Sequence, residues 1–195
     1  MFAGLDRSLS TRSIWEALRT RAPKVPWQHI VWFPGRILKH SVIAWMAILD
    51  RSPTRVRLQR MGLNIENVDC LLCGMEAERR DHLFFGCIFA KGLWGAILGL
   101  CDFYRGVSCW DGELVWAIRC LKGKSFIVGV LRLAWTSHIY GIWKERNNRL
   151  YGGRARSVDD VLQDIKEALR VRMEGKAINI NDPRNAILCA NWGIS

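Results

Sequence analysis

The sequence predicts a mainly α-helical protein. Apolar residues recur at spacings of three and four along most of the 195-residue chain, the pattern of helices with one buried face. Half of the residues are hydrophobic and ten are tryptophan, enough to form a sizeable core. Between Cys73 and His82, a glycine and a charged stretch interrupt the apolar pattern. We therefore expect short helices around a single CCHC loop, followed by a C-terminal helical region.

The N-terminal part shows one helix signal and then several helix breakers. Ser13 and Glu16 form a capping-box pattern, which predicts a short helix over residues 13–21. Three prolines follow, and they predict an extended segment around Trp27 and Trp32.

Three further helices are predicted up to residue 98. Apolar spacing favours a core helix over residues 36–50. Pro53 suits the first turn of a shorter helix that Gly62 ends. A third helix is expected from His82 to about residue 98. This helix contains three glycines, Gly92, Gly95 and Gly99. They would permit close packing against the 36–50 helix.

The second half of the sequence predicts a separate helical region. A linker over residues 102–111 suggests a division into domains at 13–98 and 99–195. Ser157 and Asp160 form the cap of the last predicted helix. Residues 175–195 are expected to be loosely structured. The predicted helices cover residues 111–121, 125–150 and 157–174.

Residues 125–143 are nearly long and apolar enough to cross a bilayer. Arg132 and His138 lie inside this stretch, and each is costly at membrane depth. The polar residues after Trp143 continue the same helical pattern. We therefore expect a buried helix of a soluble core and no membrane partner.

The CCHC loop has a metal-ligand spacing, C-x2-C-x8-H-x4-C, formed by Cys70, Cys73, His82 and Cys87. Two thiols separated by two residues can bind one ion from a tight turn, and a histidine and a third cysteine can complete a tetrahedron. Three thiolates and one imidazole suit Zn²⁺ in a closed structural site, which leaves no position for metal catalysis. The spacing thus predicts one structural zinc ion. The alternative is four unrelated residues in a cysteine-rich chain.

Four other cysteines, Cys101, Cys109, Cys120 and Cys189, match no further metal pattern. The first ten residues contain no apolar signal region. The simplest interpretation is reduced, buried thiols in a nuclear or cytoplasmic protein that is not secreted.

Short motifs occur in a fixed order around the loop. They are Ser13-Ile-Trp15, Trp32-Phe-Pro-Gly-Arg-Ile37, Ala44-Trp-Met-Ala-Ile-Leu49, Pro53-Thr-Arg-Val-Arg-Leu58, Met61-Gly-Leu63, Cys70-Leu-Leu-Cys73 and Asp81-His-Leu-Phe-Phe-Gly-Cys87. This order resembles the zinc-binding domain that follows the polymerase in plant LINE-type (non-LTR) retrotransposon reverse transcriptases, over residues 13–98. Ile142-Trp-Lys-Glu-Arg-Asn-Asn-Arg149 resembles the segment after that domain. The resemblance implies help in gripping template RNA or target DNA during reverse transcription.

The charge balance favours a polyanionic partner. Lysine and arginine number 29 against 18 acidic residues, a net charge of +11, and such a balance suits RNA or DNA. The preferred candidates for phosphate contact are Arg55, Arg57 and Arg60, followed by Arg79 and Arg80. The alternative for all five is an ordinary solvated surface.

Aromatic residues offer a second kind of contact. Trp27, Trp32, Phe84 and Phe85 are candidates for stacking on unpaired bases. Most of the ten tryptophans are nevertheless expected in the core.

The sequence contains no recognisable catalytic constellation. Asp159-Asp160 is better explained as an acidic helix start than as the metal-binding pair of a polymerase. There is no Gly-rich phosphate loop and no Gly-x-Ser-x-Gly elbow. His29, His40 and His138 have no obvious catalytic partner. We therefore expect a protein that is not an enzyme.

Two functions from different classes remain open. The first is a zinc-binding, non-catalytic accessory module derived from a retrotransposon reverse transcriptase, which binds RNA or DNA. The second is a non-enzymatic protein-interaction or remnant fragment with no nucleic-acid activity of its own. An exposed apolar groove would favour the second.

Overall fold

A computed structural model describes residues 10–18 and 23–194. In this part of the chain it contains helices and no strand, which confirms the predicted mainly α fold. A π-helical turn spans His82–Gly86. The α-helices are α1 Thr11–Leu18, α2 Gln28–Val31, α3 Leu38–Ile48, α4 Arg55–Arg60, α5 Ile88–Leu100, α6 Trp110–Cys120, α7 Phe126–Leu150, α8 Val158–Met173 and α9 Pro183–Trp192.

The N-terminal elements differ from the sequence prediction. Helix α1 begins at Thr11, so the predicted cap residue Ser13 lies inside the helix, and the predicted end of that helix lies outside the described residues. The segment between Trp27 and Trp32 is not fully extended, because α2 forms there. A proline disfavours a helix at the residue before it, and no proline lies between these two tryptophans.

The start of α4 also differs from the prediction. Pro53 precedes the helix, and Thr54 caps it with a side-chain oxygen that accepts the Arg57 N–H at 3.4 Å. Gly62 follows the helix with φ +88°, as expected for a glycine at a helix end.

The prediction of a single helix that begins at His82 is wrong. The π-helical turn ends at Gly86, and α5 begins only after Cys87. Cys87 has extended backbone angles (φ −63°, ψ 138°), which break the helical path. The chain thus changes direction at the residue predicted to be the last zinc ligand.

In the C-terminal half, α6, α7 and α8 confirm the predicted helices within one residue at each end. The capping box of Ser157 and Asp160 is also confirmed. The loose structure expected for residues 175–195 is wrong, because Asp182 caps α9 and Leu188 and Trp192 of α9 are buried. The signal that was missed is an Asp-Pro pair opening the helix and a glycine closing it.

The core draws on both halves of the chain, from Ile30 to Ile194. Phe85 lies at its centre, with ring centroids 5.0–6.3 Å from Trp94, Trp110, Trp135 and His138. The core includes most of α7, and no helix in the described ranges is long and apolar enough to cross a membrane. The domain division at residues 98 and 99 stays a prediction.

Helix α7 packs against both α3 and α8. Gly141 of α7 allows the approach of α8: a Cβ there would lie 3.1 Å from Val161 and 3.2 Å from Ile165. The packing predicted for the α5 glycines is not observed, since Gly92 faces Val158 of α8 and not the 36–50 helix.

His40 lies at the interface of α3 and α7. Its Nδ1 is 2.8 Å from Ser137 Oγ, and its ring stacks on Tyr140 with centroids 4.2 Å apart. Burial, and then the charges of Lys39 and Lys144, lower the pKa of His40 to about 4.

We predict that Gly141→Ala destabilises the protein by about 1–2 kcal/mol, because its methyl group overpacks the α7–α8 contact. Gly95→Ala is the matched control, since no side chain and no neighbouring element lies within 4 Å of its Cβ position. The control should stabilise by roughly 0.5–1 kcal/mol, the usual helix-propensity gain. Urea unfolding of both variants checks this, and an equal gain in stability for both would contradict it.

We predict that His40 makes folding stability depend on pH between about 6.5 and 4. In this window the unfolded imidazole binds a proton that the folded one does not, so stability is full above 6.5 and falls with the pH. His40→Gln should reduce this loss but not abolish it, because burial also lowers the pKa of His138 to about 4. Urea unfolding of the zinc-loaded proteins at pH 7, 6 and 5 measures it. Identical pH slopes for wild type and variant would show that His40 contributes nothing.

Candidate metal centre

The four predicted ligands lie together. The donor atoms of Cys70, Cys73, His82 and Cys87 all lie within 4.8 Å of one another. Cys70 Sγ and Cys87 Sγ are 3.9 Å apart, and Cys73 Sγ is 3.2 Å from His82 Nε2. Tetrahedral zinc–sulfur bonds of about 2.3 Å would place two sulfurs about 3.8 Å apart. The convergence is confirmed, and the cluster could hold one metal ion with a donor set that suits Zn²⁺.

The first two cysteines sit on a tight turn. The Cys70 N–H donates to Glu76 O at 2.7 Å, and the Gly74 N–H donates to Cys70 O at 2.7 Å. Gly74 has φ +67°, a conformation that other residues adopt only with strain. A glycine directly after Cys73 therefore lets the chain turn back while both thiols face the same point.

His82 and Cys87 come from the π-helical turn. The Cys87 N–H donates to His82 O at 2.5 Å. Gly86 is needed here for a different reason, because a Cβ would lie 3.2 Å from Asp81 O and 3.5 Å from His82 Nδ1. Phe84 and Phe85 of the same turn are fully buried and anchor it in the aromatic core.

A carboxylate orients the histidine from outside the donor set. Glu76 Oε2 lies 3.3 Å from His82 Nδ1, on the opposite side of the ring from Nε2, which faces Cys73. A proton on Nδ1 leaves Nε2 free to bind a metal, the usual role of a carboxylate beside a ligating histidine. The sequence offered three acids in this loop, and spacing alone does not distinguish Glu76 from Glu78 or Asp81.

The Cys70 thiol donates a hydrogen bond to Cys87 Sγ, and the two sulfurs are 3.9 Å apart. The hydrogen bond to Cys87, followed by burial, raises the pKa of Cys70, and the same hydrogen bond lowers the pKa of Cys87 against the effect of burial. Metal binding requires thiolates, so it must displace this proton.

A buried ion pair fixes the loop to α7. Arg146 Nη2 is 2.8 Å from Glu78 Oε1, and both side chains are at most 2% exposed. Arg146 Nε donates to both carboxylate oxygens, at 3.1 and 3.3 Å, and the Arg55 N–H donates to the same carboxylate at 3.0 Å. One charged contact therefore joins α4, the metal loop and α7.

Arg149 forms a second contact one turn further along α7. Its Nη1 donates to the carbonyls of Leu71 and Leu72, at 3.4 and 2.9 Å, between the first two cysteines. Its Nε donates to the buried carboxylate of Glu145 at 2.8 Å. Burial opposes ionisation of Glu145, but hydrogen bonds from Arg149 and Arg156 outweigh it and lower the pKa. We call Glu145, Arg146 and Arg149 the α7 clamp.

The arginines predicted for phosphate contact do not all face one surface. Four of them line one cleft of about 300 Å³, between α4 and the residues just before His82. These four are Arg57, Arg60, Arg79 and Arg80. Arg55 lies outside that lining, and its Nη1 donates to Asp69 O at 3.3 Å.

Two predictions on individual side chains need correction. Phe84 and Phe85 are fully buried in the core, so neither can stack on a base, whereas Trp27 and Trp32 are half-buried. Of the four remaining cysteines, Cys101 and Cys189 are buried as expected. The prediction that these thiols are buried is wrong for Cys109 and Cys120, which are exposed.

The fold and the cluster thus define a helical protein with a Cys₃His site that could hold one metal ion. Residues 9–94 match the family described as zinc-binding in reverse transcriptase, and this segment includes all four cluster residues. The match covers somewhat less than half of the chain and ends before α6, so the α7 clamp lies outside it. No curated protein and no solved structure matches the chain.

We predict that Cys73→Ser abolishes stoichiometric zinc binding and exposes residues 69–87 to protease, since metal binding and local folding are linked in such sites. Helices α3 and α7 should persist, because their apolar stripes do not depend on the metal. Zinc analysis, limited proteolysis and circular dichroism measure the three effects. Cys120→Ser, at an exposed thiol, is the control and should change none of them. Unchanged protease resistance after chelation would contradict the linkage.

We predict that Arg146→Met destabilises the protein by about 3–5 kcal/mol, because it leaves the Glu78 carboxylate buried without its partner. Lys144→Met is the matched control. Lys144 pairs with Asp164 at 2.9 Å, but both side chains are about half exposed, so its loss should cost less than about 1 kcal/mol. Urea unfolding measures the stability of both variants. An equal loss in the free energy of unfolding for the two would contradict the role of Arg146 in the clamp.

Proposed function

We propose that the chain is a zinc-binding, non-catalytic accessory module of the type found in plant LINE-type retrotransposon reverse transcriptases, and that it binds RNA or DNA. The match to a zinc-binding domain of reverse transcriptase and the Cys₃His cluster support the class of module. The observation that carries nucleic-acid binding is the arginine cleft beside the metal loop.

Two arginines of the cleft are available to a ligand. Within the described part of the chain, the side chains of Arg60 and Arg79 have no hydrogen-bond or ion-pair partner, and both are exposed. Phosphate oxygens are the natural partners for such guanidinium groups, because bidentate hydrogen bonds match the two geometries.

The other two arginines are oriented by neighbours. Arg57 Nη1 donates to Asp50 O at 2.6 Å. Arg80 pairs with Asp81 at 2.6 Å and lies over the Trp110 ring, 4.8 Å from its centroid. Although Asp50 and Asp81 also line the cleft, the four arginines leave it with a net positive charge.

Helix α4 and the metal loop form the two walls of this cleft. The Val56 N–H of α4 donates to Glu78 O at 3.3 Å, next to Arg79 and Arg80. Zinc would hold the loop from within, and the loop would hold these two arginines at a fixed distance from α4. The closed donor set gives zinc this structural role and no catalytic one. We place the protein in the nucleus or cytoplasm, where reducing conditions keep such thiols available for metal.

One feature favours a second function, the binding of a protein partner. Helix α1 exposes three apolar side chains on its surface, Ile14, Trp15 and Leu18, which are 42%, 64% and 78% exposed. Exposed apolar side chains that cluster on one helix are typical of interaction sites.

We predict that Arg60→Ala/Arg79→Ala weakens binding to RNA and DNA of all sequences alike. The slope of log affinity against log salt should fall by up to about two units, because two phosphate contacts no longer release counterions. Stability should barely change. Fluorescence anisotropy of the zinc-loaded protein with labelled single-stranded RNA and duplex DNA, from 50 to 200 mM salt, is the measurement.

Arg119→Ala/Arg154→Ala is the matched control, since both residues are exposed and neither lines the cleft. It removes the same charge and should change the slope by much less. A folded, zinc-loaded protein that binds neither RNA nor DNA at low salt would refute the proposed function.

A further inference from the structure

A second cavity, distinct from the arginine cleft, opens between α2, the turn from α6 to α7 and the end of α8. Its volume is about 600 Å³, within the usual range of roughly 300–1,000 Å³ for ligand sites. Its aromatic lining comes from Trp32, Phe33 and Phe126. We call this cavity the aromatic groove.

The charged side chains that line the aromatic groove are all basic: Lys124, Arg132 and Lys176. Within the described residues, no carboxylate lines it. Arg132 is held in place, because it donates to Leu121 O at 2.9 Å and to Gly123 O at 3.0 Å.

The two lysines lack an anionic partner. Lys124 is exposed and makes no hydrogen bond or ion pair in the described structure. Lys176 Nζ has Met173 Sδ as its neighbour, at 3.2 Å. Burial, and then the charge of Arg172, lower the pKa of Lys176, as expected for an ammonium group without a counter-ion.

Other donors reach the same cavity. The 25-residue helix α7 begins at its edge, and the Ser125 side chain makes no capping hydrogen bond to the first turn. The positive end of the helix dipole therefore adds to the attraction for an anion. His29 also lines the groove.

The chemistry of the occupant follows from this combination. Aromatic walls favour a flat ring, and uncompensated cations beside them favour a phosphate. An unpaired nucleotide carries both groups, whereas a duplex keeps its bases stacked inside. We propose that the aromatic groove binds an unpaired nucleotide of a single-stranded nucleic acid, with its base against Trp32 and its phosphate near Lys124 and Lys176. This inference rests on the proposed function and adds a preference for single strands.

The test compares Lys124→Ala/Lys176→Ala with the control Lys91→Ala/Lys166→Ala, whose residues lie outside the groove. Binding of a labelled 12-nucleotide RNA and of a duplex DNA is measured by anisotropy on zinc-loaded protein. The groove variant should lose roughly ten-fold in RNA affinity and less than about two-fold in duplex affinity, since each lost phosphate contact weakens binding. The control should lose about equally on both probes.

An RNA of the same length without bases tests the aromatic contact while leaving Trp32 intact. Wild type should bind it roughly five- to hundred-fold more weakly than the normal RNA, the usual range for loss of one stacked base. The loss of affinity caused by Lys124→Ala/Lys176→Ala should also be smaller on this base-free RNA than on the normal RNA.

The outcomes separate the two proposals. A wild-type protein that binds neither RNA nor duplex would refute the proposed function itself. Normal binding to both probes with identical losses in groove variant and control would overturn the groove inference alone. A groove variant that changes self-association in ultracentrifugation, but not RNA affinity, would assign the groove to a second copy of the chain.

Discussion

The carboxylate of Glu78 and the guanidinium of Arg146 are both withdrawn from water, and the position of the metal loop depends on this pair. Each ion costs several kcal/mol to desolvate, so the arrangement persists only where every hydrogen-bonding group finds a partner. Here Glu78 also accepts the Arg55 N–H, and Arg146 also donates to Asn147 at 3.0 Å. The ion pair therefore fixes a single position of the metal loop along α7.

Two restraints of different kinds act on the same loop. The Cys₃His cluster ties the two ends of the segment from Cys70 to Cys87 to one point from within. The α7 clamp holds its carbonyls and its one buried carboxylate from outside. Since the proposed phosphate contacts belong to α4 and to the same loop, both restraints contribute to the shape of the arginine cleft. A rigid surface loses less conformational entropy when it binds a ligand.

The features that could be predicted from the sequence are the local ones. The ligand spacing predicted the cluster because the four residues lie within one short segment, and apolar periodicity predicted α7 and α8. The burial of Phe84 and Phe85 could not be predicted, because an exposed aromatic pair and a core pair look alike in sequence. The pairing of Glu78 with Arg146 could not be predicted either, because 68 residues separate the two and no periodicity connects them. Helix α9 is different, because its capping signals are local and lie in the sequence: Asp182 and Pro183 at its start and Gly193 at its end.

The distance along the chain between the loop and its clamp has a consequence for biosynthesis. A ribosome adds roughly 5–20 residues per second, and domains fold as their residues emerge. Arg146 is 68 residues beyond Glu78, so several seconds pass in which the cysteines are present and their clamp is not. In this interval the thiols are open to cellular metal and to oxidants alike. Metal capture by the nascent chain would protect the sulfurs before the α7 clamp forms.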